Sequence, residues 1–86
     1  MIAEGGGQDG QMVLMWEVRA AEGRIAELVA YVDAHADPSA EVYRADAPDP
    51  RVVVIDPTGR GVLDVPAPLV ARPPHMWHFE LVPRGG

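Results

Sequence analysis

Two of the three histidines, His75 and His78, stand three apart in the stretch His75-Met76-Trp77-His78-Phe79-Glu80-Leu81-Val82. On a helix that spacing would bring the imidazoles together, but the residue-by-residue alternation predicts a strand, which sends them to opposite faces. They cannot chelate one metal between them, and no metal site is expected. His78 and Glu80 do share a face, with side chains about 6 to 7 Å apart given the rise of a strand. An imidazole near a carboxylate can take up or release a proton near neutral pH, which is the acid–base chemistry this pair could offer.

The other face of that strand carries Trp77, Phe79 and Leu81 and reads as core. The stretch Met12 to Ala20 has the same design, with Leu14, Trp16, Val18 and Ala20 on an apolar face and Val13, Met15, Glu17 and Arg19 on the second. If the two strands pair with their aromatic faces together, Glu17 and Arg19 become neighbours of His78 and Glu80. The functional reading of these four is a polar patch in an apolar cavity, with His78 as base; the plainer one is a cross-strand ion-pair network. Trp16 and Trp77 read first as core and second as a stacking platform.

Much other chemistry is excluded by residue type. The chain has no Cys, Lys or Asn, which removes thiol nucleophiles, disulfides, Schiff-base chemistry and an Asn oxyanion donor. Ser39 has no His near it in sequence, and His35 is explained by a position at the end of a helix. With 13 acidic residues against seven scattered Arg and a net charge of −6, a nucleic-acid partner is not expected. No apolar run approaches the roughly 18 residues of a membrane span, and no signal peptide is recognisable, so the expected location is cytoplasmic and no membrane partner is expected. Gly5-x-Gly7-x-x-Gly10 matches the dinucleotide fingerprint by letter, yet it precedes the first strand instead of following one. No cofactor is expected.

The elements that must position these residues follow in order. Residues 1 to 11 hold four Gly and little to bury, which predicts a disordered tail. A single domain then spans 12 to 83, with 84 to 86 a flexible end. Ile25, Leu28, Val29, Val32 and Ala36 fall on one helical stripe within Arg24 to Ala36, and Asp37-Pro38 ends it. Ser39 to Ala45 reads as a short edge strand, and Arg51 to Ile55 as a central one, because Val52-Val53-Val54-Ile55 implies apolar contact on both faces. Asp56-Pro57-Thr58-Gly59 has the residues of a type I turn. Four Pro between Gly61 and Pro74 allow at most one turn of helix, around Ala67 to Ala71.

This order predicts an α+β, ferredoxin-like split βαβ: a four-stranded antiparallel sheet with one main helix and a Pro-rich irregular segment where a second helix would be. One helix covers one sheet face, so the second face must be covered by something else, and a homodimer is expected. In element order, and in its Trp16-Glu17-Val18-Arg19 and Trp77-His78-Phe79-Glu80 strands, the chain resembles the dimeric α+β barrel proteins, the group that includes antibiotic-biosynthesis-monooxygenase-like domains. The resemblance covers about residues 12 to 83. It implies cofactor-independent oxidation of a small aromatic molecule, with His78 as base, Arg19 holding the resulting anion, Trp16 and Trp77 flanking the ring, and Glu17 and Glu80 lining the site. The alternative is a non-catalytic dimeric module that binds a ligand or a protein through the same surface.

Overall fold

The computed structural model describes residues 12–84; the expected tail over residues 1 to 11, with Gly85 and Gly86, lies outside them. Strand β1 (Met12–Arg19) leads into helix α1 (Ile25–His35), followed by β2 (Glu41–Ala45), β3 (Arg51–Asp56), a 3₁₀ turn at Ala67–Leu69 and β4 (His75–Glu80). The four strands form one sheet in the order β2-β3-β1-β4, with every neighbouring pair antiparallel. That is the ferredoxin-like split βαβ, with β1 and β2 parallel and β3 filling the gap between them.

Helix α1 forms where its stripe requires: Leu28 and Val32 are buried, while Ile25, Val29 and Ala36 pack at the edge of the core. It starts without a side-chain cap at Arg24, Gly23 serving instead as the left-handed residue of the preceding turn at φ 75°. The helix lies against β3 and β2, and its Leu28 and Val32 share one core with Leu14, Trp16 and Val18 of β1 and Val52 and Val54 of β3, all of them buried. Strand β3 is central and alternates regularly, Val53 and Ile55 turning their side chains to the face away from the helix.

The Pro-rich segment makes the single turn its prolines permit. Leu69 and Val62 are both buried in the core, and the chain is pinned to the end of β1 by Ala21 N–H to Leu69 O at 2.9 Å and Ala71 N–H to Arg19 O at 2.9 Å. It reaches that end from Gly61, which lies beside Leu14 and Trp16, and leaves all six residues of β4 exposed, where a second helix would have lain.

One expectation is overturned by the register. Trp16 stands opposite Met76, and Leu14 opposite His78; residues directly opposite in an antiparallel pair point to the same side. Met76, His78 and Glu80 thus share the helix side with the core residues of β1. Trp77 and Phe79 lie on the opposite, uncovered face beside Met15 and Val13, and are 43% and 51% exposed. Leu81 is likewise exposed. These three are not core, and Met76 does not belong to the uncovered face.

Candidate functional site

The same register separates the four polar residues expected to cluster. Glu17 and Arg19 lie on the open face, His78 and Glu80 on the helix side of the edge strand. A strand's backbone stands between Arg19 and His78, so one subunit does not present them to the same substrate. Trp16 is fully buried in the core and Trp77 is on the far side of the sheet; the two do not flank a common ring.

Glu17 and Arg19 instead meet residues from elsewhere in the chain. At one end of the open face they line a small pocket of about 70 Å³ with Arg51, Arg72 and His75. Arg51 Nη1 donates to Glu17 Oε2 at 3.3 Å, and Arg19 Nη1 stands 3.7 Å from Asp49 Oδ2. His75 packs edge-on against Trp77, centroids 5.9 Å apart at 70°, which fixes the imidazole at the rim. The rest of the face is apolar, with Val13, Met15, Val53, Ile55, Trp77 and Phe79, and is flanked on β2 by Glu41 and Tyr43. Tyr43 Oη donates to Glu41 at 3.1 Å. That bond, which holds the proton on the phenol beside a carboxylate, raises the Tyr43 pKa above its usual value.

A larger, open cleft of about 560 Å³ lies at the C-terminal end of α1. The Tyr31 hydroxyl reaches across to the carbonyls of Leu63 at 3.2 Å and Asp64 at 2.9 Å, and His35 stacks on the Tyr31 ring at 3.9 Å. His35 Nδ1 donates to the Tyr31 carbonyl at 2.8 Å, which fixes its tautomer. Asp64 has φ 58°, left-handed backbone that Asp tolerates better than most side chains. Asp37 accepts from the Ser39 hydroxyl, the Ser39 N–H and Arg60; the Ser39 hydroxyl does most to hold its carboxyl below the ordinary range. Every carboxylate contact in this cleft is explained by closing the helix end and the loop.

Asp56 is the one fully buried charged side chain among the described residues. It accepts from the Thr58 N–H at 2.7 Å, the Thr58 hydroxyl at 2.6 Å and the Gly61 N–H at 2.8 Å. Burial pushes its carboxyl up, but these donors outweigh it and the net shift is downward. The Asp56 carbonyl also accepts from Gly59 N–H at 3.2 Å, the bond of the expected turn. Its role is to fold the loop after β3 back over Trp16.

No group of three or more His, Asp or Glu that could hold a metal occurs among the described residues, and no helix there is long and apolar enough to cross a membrane. Fold and site define a small ferredoxin-like α+β domain with one bare sheet face. Comparison with family models, curated proteins and solved structures gives no match.

Proposed function

We propose that this chain is a non-catalytic homodimeric module that self-associates through its open sheet face, in the manner of the α+β barrel proteins it resembles. The observation that carries this is the run of exposed or half-exposed apolar side chains on that face: Val13, Met15, Val53, Ile55, Trp77 and Phe79. Burying an apolar patch returns on the order of 25 cal/mol per Å², several kcal/mol for a few hundred Å². A second copy is the occupant favoured by charge, because the same patch carries Glu17 and Glu41 together with Arg19 and Arg51. An isologous interface brings a patch against itself, and a patch that carries both signs can do so without setting like charges together. The placement of Arg19 and His78 on opposite sides of the sheet favours this module over the monooxygenase-like reading with its small aromatic substrate.

Sedimentation at micromolar concentration tests the proposal. The chain, 9.3 kDa, should run at twice that mass. Met15→Asp and Trp77→Asp should each give a folded monomer, whereas Met76→Asp, on the other face, should leave the dimer intact. A wild-type monomer, or a dimer indifferent to Met15→Asp and Trp77→Asp, rejects it.

A further inference from the structure

The pocket at the end of the open face is built against the composition of the chain. Acidic residues outnumber basic ones 13 to seven over the sequence, yet this pocket is lined by three Arg and one carboxylate. The three come from distant places: Arg19 from the end of β1, Arg51 from the start of β3 and Arg72 from the Pro-rich segment just before β4. Glu17 is engaged by Arg51, and Asp49 stands outside the pocket at 3.7 Å from Arg19. Arg72 has no ion-pair or side-chain hydrogen-bond partner among the described residues.

A guanidinium carries five N–H donors, so the three together hold many more donors than Glu17 can occupy. The volume of about 70 Å³ is that of roughly two waters at about 30 Å³ each. It fits a charged headgroup and not a whole metabolite. We infer that Arg19, Arg51 and Arg72, with His75 at the rim, form a binding site for the oxyanion headgroup of a small molecule, a carboxylate or a phosphate. Planar guanidinium groups suit both anions, since each can be held by paired N–H donors.

The inference does not depend on self-association, and the test separates the two. Sodium acetate, sulfate and phosphate are titrated into the full chain at constant ionic strength against chloride, following Arg Nε–H and backbone resonances at residues 17–19, 51 and 72–75. At least one anion should saturate with a dissociation constant at or below about 1 mM. Preference for acetate assigns a carboxylate headgroup, and preference for sulfate and phosphate a tetrahedral one. Arg72→Ala, on a loop outside every ion pair, should weaken binding at least tenfold and Arg72→Lys less, while Arg60→Ala in the other cleft changes nothing. Binding should persist in Met15→Asp. Absence of saturation by all three anions, an equal response from Arg72→Ala, or Arg72→Ala dissociating a dimer without altering anion binding would each overturn the inference, the last by giving the pocket to an acidic side chain of a second copy.

Discussion

Trp16 of β1 and Met76 of β4 face each other across the ladder, both on the helix side of the sheet. That pairing places Trp77, one residue on, with Met15 on the other side, and makes the two tryptophans opposites in consequence. Trp16→Ala should cost roughly 3 to 5 kcal/mol, as large aromatic truncations in cores do, which a domain this small does not absorb. Trp77→Ala should cost under about 1 kcal/mol in a Met15→Asp background, where association cannot contribute. Urea unfolding of the two variants decides it; similar losses would mean that Trp77 is held as tightly as Trp16.

Gly61 is required on two grounds. Its φ is 70°, and a Cβ there would lie 3.0 Å from Leu14 Cδ2 and 3.1 Å from Trp16 Cδ1, both in the buried core. Gly61→Ala combines left-handed strain with overpacking and should cost about 2 to 4 kcal/mol. Gly59 has φ 79° with nothing within 4 Å, so Gly59→Ala should show only the backbone cost of about 1 to 2 kcal/mol. Equal thermal shifts for the two would remove the packing argument.

Asp56 makes stability depend on acid pH. Its folded pKa lies below the ordinary carboxylate value, so its contribution is fully present above the unfolded pKa of about 3.9 and is lost as pH falls through the lower folded value. Asp56→Asn keeps an acceptor for Thr58 but turns an amide donor toward the Gly61 N–H. It should cost about 1.5 to 3 kcal/mol at neutral pH and flatten the fall in urea midpoint at acid pH. A variant that retains the wild-type slope would place the titration on another carboxylate.

Local pattern announced much of this fold. The α1 stripe, the four-residue apolar run of β3, the Asp56 turn and the single turn among the prolines each depend on neighbours in sequence, and each stands where those neighbours put it. The side of β4 that meets the core does not depend on neighbours. Alternation sorts a strand into two sets, and pairing register chooses between them; a one-residue difference exchanges the sets. Trp77 and Phe79 are the larger apolar residues, so hydrophobicity alone assigns them to the core, whereas the register with β1 gives that side to Met76 and His78. The same error dispersed the expected cluster of Glu17, Arg19, His78 and Glu80. The arginine pocket was hidden for a related reason: Arg19, Arg51 and Arg72 are scattered in sequence and meet only through the sheet and the chain pinned to its edge.

Strand β4 hydrogen-bonds to β1 along one edge only, and all six of its residues are exposed. Little apolar surface is released to water when it detaches, so the free energy of opening this segment lies well below that of the whole domain. In hydrogen exchange of the monomeric Met15→Asp variant its amides should lose protection first, ahead of those in β3, which is paired on both edges. A detached His75-to-Glu80 segment has no Pro or Lys to blunt it, and it can pair with β1 of another molecule as readily as with its own. Exchange of this strand between copies is thus a route to entangled dimers at high concentration, reached by partial opening alone.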